Sequence, residues 1–214
     1  MLFLFAGSLF AACNSNADKV ATTTAQGVDS SAATGVSYAT DSSSLVTFVG
    51  SKPTGEHSGT FSLIEGNLLV NNDAISGGKF VININSLNIT DIKDDPKSKA
   101  DLEGHLKAGD FFDAAKWPSA QFEITSIEPY VADSSSKMKD ATNLVKGNLT
   151  LKDSTKNIAF PAKLLVTGNT LSASADFNID RSQWGINYKG PNNPQDWVIS
   201  KTVNIKLSIS ATKK

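Results

Sequence analysis

The sequence has few of the residues that build metal centres or covalent cross-links. It contains one cysteine and two histidines among 214 residues. A single cysteine cannot form an internal disulfide. The histidines, His57 and His105, are far apart in the chain, and neither belongs to an HxH or HExxH pattern. The spacing therefore predicts no metal site, and a structural hydrogen bond is one expected role of each histidine.

Charge and catalytic motifs are also scarce. Charged residues make up 19% of the chain and the formal net charge is −1, so we expect no basic field and no nucleic-acid partner. The chain shows no nucleophile motif and no glycine-rich phosphate loop. Asp110 and Asp113 flank two adjacent phenylalanines. We interpret them as helix caps or turn formers in preference to an acid–base pair. We predict that the protein is not an enzyme and has no catalytic residues.

The chain opens with an apolar run, "MLFLFAGSLFAAC", which ends at Cys13. The run is too short to cross a bilayer as a helix. Its small residues before the cysteine resemble the lipobox of bacterial lipoproteins, in which the peptide is cut before the cysteine and the thiol carries lipid. That resemblance implies a signal peptide over residues 1–12 and an acylated Cys13 that holds the protein at a membrane. The alternative is an ordinary secretory peptide with an incidental cysteine.

Residues 13–40 are dominated by Ser, Thr, Ala, Asn and Gly and contain almost no large apolar residue. Such a composition buries too little apolar surface to offset the chain entropy lost on folding. We expect a flexible tether over 13–40, followed by one folded domain over 41–214.

Alternation of apolar and polar residues predicts many strands in this domain. The pattern is clearest over residues 157–167 and 171–180, which form a hairpin around "TGN", and over residues 202–209. A bulge is expected near Asn85 or Ser86, and Pro161 predicts a sheet edge or a second bulge. Further strands are expected at residues 45–49, 57–62, 66–70, 80–84, 121–131 and 145–152. Many strands with one apolar face indicate a sandwich or a closed antiparallel barrel.

Only residues 95–108 are predicted to be helical, with Pro96 near the first position and Gly109 as a stop. Residues 104–123, "GHLKAGDFFDAAKWPSAQFE", overlap the end of this helix and resemble the signature of the YceI-like family. Four further segments resemble that family in the same order: "GEHSGTFSLIEGNLLV", "GGKFVININSLNI", "VKGNLTLKDSTKNIAFP" and "FNIDRSQWGINY". The resemblance covers residues 43–212.

The resemblance implies an all-β fold, a lipocalin-like eight-stranded antiparallel barrel with a short capping helix. It also implies an apolar tunnel that binds or transports a long-chain isoprenoid-type or fatty lipid without catalysis or any other cofactor. The expected location is the bacterial cell envelope, lipid-anchored, on the periplasmic or outer-membrane side. A homodimer is left open. The alternative function is a packed, ligand-free barrel that serves as a structural or interaction module of the envelope.

Candidate ligand-binding residues follow from the apolar faces of the strands and from the cap. The strand residues are Phe80, Ile82, Ile84, Phe122, Ile124, Phe160, Leu164 and Phe177. The cap adds Phe111, Phe112 and Trp117, which either line the tunnel or plug one end of the barrel as core. His105 either meets a lipid headgroup or makes a structural hydrogen bond. Arg181 either grips a phosphate or pairs with Asp180, Asp176 or a carboxylate of the cap.

The lipobox resemblance makes a direct prediction. A Cys13→Ser protein is expected to move from the membrane fraction to the soluble fraction of disrupted cells, because stable anchoring needs the acyl chains that a lipoprotein carries on its cysteine. Fractionation and immunoblotting of the two proteins check this. If the serine variant stays in the membrane pellet, the lipoprotein interpretation is wrong.

Overall fold

Strands dominate the molecule, as the alternation predicts. A computed structural model describes residues 18–28, 34–134, 136–189 and 198–214. Within these ranges the helix α1 spans Pro96–Lys107, and short 3₁₀ turns lie at Ile84–Ser86 and Arg181–Trp184. The strands are β1 (Asp18–Lys19), β2 (Ala21–Thr24), β3 (Val36–Thr40), β4 (Leu45–Lys52), β5 (Gly55–Asn71), β6 (Ala74–Asn83), β7 (Asn88–Ile89), β8 (Ser119–Pro129), β9 (Asn143–Leu151), β10 (Ser154–Thr167), β11 (Thr170–Asp180) and β12 (Thr202–Lys213).

Eight of these strands close into an antiparallel barrel, which confirms the predicted fold class. The neighbours around the ring are β4, β5, β6, β8, β9, β10, β11 and β12, and β12 pairs back onto β4. Closure gives the backbone groups of each barrel strand partners on both sides and leaves one face of every strand inside.

The helix forms where it is predicted, because both of its ends are capped. Pro96 stands in the first turn, where its missing N–H costs nothing, and the Asp95 carboxylate accepts from the Ser98 amide at 3.0 Å. The hydrogen bond from the Ser98 hydroxyl lowers the pKa of Asp95. At the other end the Ala114 amide donates to the Lys107 carbonyl at 2.8 Å. The turn with the two phenylalanines therefore completes the end of the helix.

At Ser86 and at Pro161 the structure differs in detail from the expected strand irregularities. The bulge expected near Ser86 is a 3₁₀ turn, Ile84–Ser86, after which the short strand β7 returns to pair with β5. Pro161 pairs with Leu144 of β9 in unbroken register, while pairing with β11 begins only at Ala162. Pro161 therefore occupies an edge on one side only.

The predicted tether over 13–40 is wrong for residues 18–26 and 34–40, which lie on the barrel. β3 fills the wall between the second half of β5 and the end of β12. Tyr38 is 4% exposed, and its hydroxyl donates to the Gly168 carbonyl at 2.7 Å. Val20 is also buried. The average composition hides these two apolar anchors and the β-branched threonines that suit strands.

The remaining predictions for the N-terminus concern residues outside the described part of the chain. They are the signal peptide over residues 1–12, the acylation of Cys13, and the tether at residues 14–17 and 29–33. In the part of the chain that the structure describes, no helix is long and apolar enough to cross a membrane.

The position of β3 gives a stability prediction. A chain that begins at Asp41 is expected to melt about 3–12 °C below one that begins at Thr34, because burial of a large side chain contributes about 1.5–3 kcal/mol and each kcal/mol shifts the melting temperature by about 2–4 °C at this size. Thermal unfolding followed by circular dichroism compares two chains that differ only in β3 and its flanks. Equal melting temperatures would contradict the placement of Tyr38 in the core.

Candidate functional site

The barrel encloses a cavity of about 490 Å³. Inward-facing side chains of β4, β5, β6, β8, β9, β10, β11 and β12 form its wall, and α1 with the segments around Phe111 and Tyr188 closes one end. The volume lies in the range of small-molecule ligand pockets. Among the described residues, no Asp or Glu lines the cavity.

Aromatic rings form much of the wall. Phe122 and Phe160 lie 5.6 Å apart between ring centroids, and Phe160 stacks on Phe177 at 4.1 Å. Phe48 and Phe61 form a second pair at 5.3 Å. A Cβ at Gly59 would lie 2.6 Å from the Phe48 ring, so the missing side chain makes room for this ring. The remaining wall is mainly aliphatic, with Leu63, Leu68, Ile75, Ile82, Ile124, Val145, Leu149, Leu164, Val203, Ile205 and Leu207 among its members.

The cavity is elongated along the strands. The β11 residues that line it run from Ile179 beside the cap to Ala173 near the opposite end. A strand rises about 3.3 Å per residue, so these six steps span about 20 Å. An extended hydrocarbon chain fits such a shape better than a compact ligand does.

The cap joins the helix to the barrel through aromatic contacts. Phe112 meets Phe61 edge to face at 5.5 Å. Phe111 lies 5.2 Å from both His105 and Tyr188, and His105 lies 4.8 Å from Tyr188. These last three rings form a cluster at the capped end of the cavity, which we call the mouth cluster. It places the imidazole of His105 and the hydroxyl-bearing ring of Tyr188 beside an apolar interior.

Polar side chains of the lining also gather at the capped end. Lys52 and His57 lie there on β4 and β5, and Lys189 follows Tyr188. The Nδ1 atom of His57 lies 2.8 Å from the Asp91 carboxylate. Burial raises the pKa of Asp91, but hydrogen bonds from His57 and the Ser58 amide outweigh it and leave that pKa below its ordinary value. This pair fixes the loop after β7 to the barrel.

Arg181 binds the backbone of its own chain, a role that the sequence did not suggest. Its guanidinium is buried and donates to the backbone carbonyls of Ile186, Tyr188, Ile199 and Ser200. Four of its five N–H groups are therefore used by the chain itself. Burial lowers the pKa of Arg181, and the nearby Asp180 carboxylate partly offsets this. Arg181 holds together the two ends of the segment between β11 and β12.

Two carboxylates that were candidate partners of Arg181 pair with lysines. Asp180 lies 3.2 Å from the Lys201 amine, and Asp176 lies 3.7 Å from the Lys206 amine. The guanidinium of Arg181 binds backbone carbonyls because the short 3₁₀ turn that contains it brings both ends of the segment between β11 and β12 close to it.

The cavity brings together nearly all residues that the sequence proposed. Its lining includes Phe80, Ile82, Ile84, His105, Phe111, Phe112, Phe122, Ile124, Phe160, Leu164, Phe177 and Arg181. Trp117 is not part of the lining; it is half-buried, with the Lys116 amine 5.1 Å from its ring centroid. A left-handed Asp113, at φ 50°, reverses the chain before Trp117 and separates it from the two phenylalanines. Ligand contact by the lining residues stays a prediction.

Sequence reasoning missed several lining residues. Phe48 and Phe61 stand at inward positions of strands that were predicted, so the alternation could have found them. Tyr188 and Lys189 belong to no periodic pattern. Only the fold of the segment after β11 brings them to the cavity.

The fold and the cavity define a closed β-barrel that encloses an apolar, ligand-sized interior. The chain belongs to the YceI-like family, because the family model, described as the YceI-like domain, matches residues 38–211. A UPF0312 protein of Pseudomonas paraeruginosa is 31% identical over 111 residues, which are 52% of this chain and 50% of that protein. The protein YceI of Escherichia coli is 29% identical over 112 residues, with the same coverage of 52% and 50%. The chain spans about half the length of these curated relatives.

Solved structures share the fold at low identity. The crystal structure of BcnA from Burkholderia cenocepacia has a TM-score of 0.62 at 20% identity and covers 80% of this chain and 100% of that one. A polyisoprenoid binding domain from Saccharophagus degradans, implicated in plant cell wall breakdown, has a TM-score of 0.60 at 17% identity and covers 84% and 99%. At this identity the likeness shows the barrel fold.

The hydrogen bonds of Arg181 predict a large structural effect. An Arg181→Gln protein is expected to lose about 2–4 kcal/mol of unfolding free energy, because several buried carbonyls lose their donors. Arg181→Lys should rescue little, since an ammonium lacks the planar fork of donors. Urea unfolding measures the loss, with Lys201→Gln as the control for a half-exposed ion pair that contributes under about 1 kcal/mol. A stable Arg181→Gln protein would contradict this role.

Proposed function

We propose that the protein binds a long-chain isoprenoid-type or fatty lipid inside its barrel and carries or stores it in the bacterial cell envelope without catalysis. The observation that carries the proposal is the elongated apolar cavity along the barrel interior. The polyisoprenoid-binding description of the Saccharophagus degradans domain, which shares this fold, supports it.

The cavity wall is suited to a hydrocarbon chain. Each methylene that leaves water contributes about 0.8 kcal/mol, so a chain of a dozen carbons gains enough to bind without a charged anchor. Affinity should then rise with chain length more than it changes with the headgroup. The lack of acidic side chains among the described lining residues is compatible with an apolar ligand.

The capped end suits a polar headgroup. Ring nitrogens of His105 and the amines of Lys52 and Lys189 lie among the lining residues there, whereas the opposite part of the lining is almost entirely apolar. His105 is 40% exposed, and its Nε2 atom lies 3.8 Å from the Asp110 carboxylate, too far for a good hydrogen bond. The ring is therefore available to a ligand.

The lipobox resemblance supports a position of this barrel beside a membrane. An acylated Cys13 would keep the protein beside the bilayer in which its ligand dissolves, on the periplasmic or outer-membrane side of the envelope. Several acyl chains are needed for stable residence, which a lipoprotein anchor supplies.

A filled cavity tests the proposal. Native mass spectrometry of the purified mature protein is expected to show a co-purified lipid, and Leu164→Trp should abolish it because the larger ring occupies the cavity that Leu164 lines. The matched control is Leu165→Trp, at the next residue of β10, which is 54% exposed and should keep the lipid.

The same experiment distinguishes the alternative. In a ligand-free, packed barrel the parent protein would carry no lipid, and Leu164→Trp would destabilise it by about 1–3 kcal/mol through overpacking. That pair of results would favour a structural or interaction module over a lipid carrier.

A further inference from the structure

The barrel wall is parted between β10 and β11 at the end that carries the cap. The two strands pair with each other from the turn at Gly168 as far as Ala162 and Ala175. Beyond that point β10 pairs with β2, and β11 pairs with β1. We call this parted region, residues 154–161 of β10 and 176–180 of β11, the seam. Residues 18–26, which fill it from outside, are the strap.

Pro161 accounts for the position at which the pairing stops. Its nitrogen carries no hydrogen and cannot donate to β11. On its other side Pro161 still pairs in register with Leu144 of β9. The seam is therefore a local opening on one side of β10, while the neighbouring β9–β10 wall stays intact.

The strap is held by few backbone contacts. β1 runs parallel to β11 at Phe177 and Asn178, and the Val20 amide donates to the Asn178 carbonyl at 3.0 Å. β2 runs antiparallel to residues 156–159 of β10. Further along, Gln26 exchanges two hydrogen bonds with the Asn148 side chain, at 3.0 and 2.8 Å.

The surface beneath the strap is polar except where Val20 packs into the hydrophobic core. Asn148, Asn157 and Asn178 are each less than 10% exposed, and Asn157 donates to Asn148 at 3.1 Å and to Thr125 at 3.0 Å. Val20 is the only large apolar side chain of the strap. When the strap leaves, water replaces its hydrogen bonds at little net cost, and little apolar surface is exposed. The strap can therefore detach from this wall with the loss of one buried apolar side chain.

Cavity-lining side chains lie directly behind the seam. The Phe160 and Phe177 rings, one from each parted strand, stack at 4.1 Å with 12° between their planes. Ile158 and Ile179 lie beside them, and all four residues line the cavity. Side chains, and not a continuous hydrogen-bonded sheet, separate the seam from the interior.

We propose that the seam is a lateral entrance to the cavity and that the strap is its detachable closure. This inference rests on the proposed lipid-binding function. With the strap released and the two stacked rings rotated apart, a long chain enters sideways between β10 and β11. It does not have to be threaded end-on past Phe111, His105 and Tyr188 of the mouth cluster.

The position of the strap in the chain supports this role. The family match begins at residue 38, so the strap lies outside the shared domain. From Cys13 to Asp18 the chain advances five residues, which reach at most about 18 Å when extended. An acylated Cys13 would therefore hold the seam close to the bilayer surface, where a lipid chain can enter from the side.

A disulfide that locks the strap tests the entrance. Thr24 and Lys156 are opposite each other in antiparallel register, at a separation typical of disulfides, so Thr24→Cys with Lys156→Cys can be oxidised in a Cys13→Ser background. All-trans-retinol, a fluorescent isoprenoid alcohol, serves as the probe. We expect its release into lipid vesicles to slow at least tenfold when the disulfide is formed and to recover on reduction, with unchanged affinity.

Two comparisons make the test specific. Thr150→Cys with Thr155→Cys locks the intact β9–β10 wall at the same end, where the two hydroxyls lie 2.9 Å apart, and should leave the release rate unchanged. Deletion of residues 18–26 should accelerate release while the circular dichroism spectrum of the barrel persists. An unchanged rate in both the locked and the deleted protein would overturn the lateral entrance alone. A parent protein that binds no retinol or co-purified lipid would overturn the proposed function, and the entrance with it.

Discussion

Closure of the barrel is the constraint on which the rest of the structure depends. Backbone groups that leave one neighbouring strand must find another partner, because unpaired groups in a wall are costly. β3 supplies this pairing where β5 and β12 extend past β4, and β1 and β2 supply it where β10 and β11 part. Residues before the shared domain are therefore drawn into the wall. The interior in turn remains enclosed, so an apolar cavity can persist inside a chain of mixed composition.

The same closure explains how the cap is positioned. α1 has no fully buried residue and contributes only part of one face, including Leu102 and Leu106, to the cavity. The aromatic turn after it fixes the helix: Phe112 packs on Phe61 of the barrel, and Phe111 packs on Tyr188. Arg181 secures the other side of this contact by binding the carbonyls of Tyr188 and its neighbours. The capped end is thus built by side chains from three separate segments, whereas the described lining residues of the opposite end come from strands.

Much of the fold was predictable because its signals are local. The strands from β8 to β12 show clear alternation, and the helix has Asp95, Pro96 and a stop within its own sequence. The prediction of a tether failed because it rested on the average composition of a Ser- and Thr-rich segment. Composition does not reveal that a single residue such as Tyr38 is held by a partner far along the chain, the Gly168 carbonyl. Of the candidate lining residues, Trp117 alone lies outside the cavity lining. The left-handed turn at Asp113 that precedes it is not predictable from the sequence of an aromatic-rich segment.

The sequence by itself determined an all-β fold, the helix at Pro96–Lys107 and the inward faces of the strands, because strand periodicity and helix capping depend on near neighbours. Its motifs also carried the resemblance to the YceI-like family. Only the tertiary structure decided that the interior stays open, that Arg181 binds backbone carbonyls, and that the N-terminal strands complete the wall. These features depend on contacts between distant segments, such as Phe160 with Phe177 and Val20 with Asn178, whose geometry exists only after the barrel has closed.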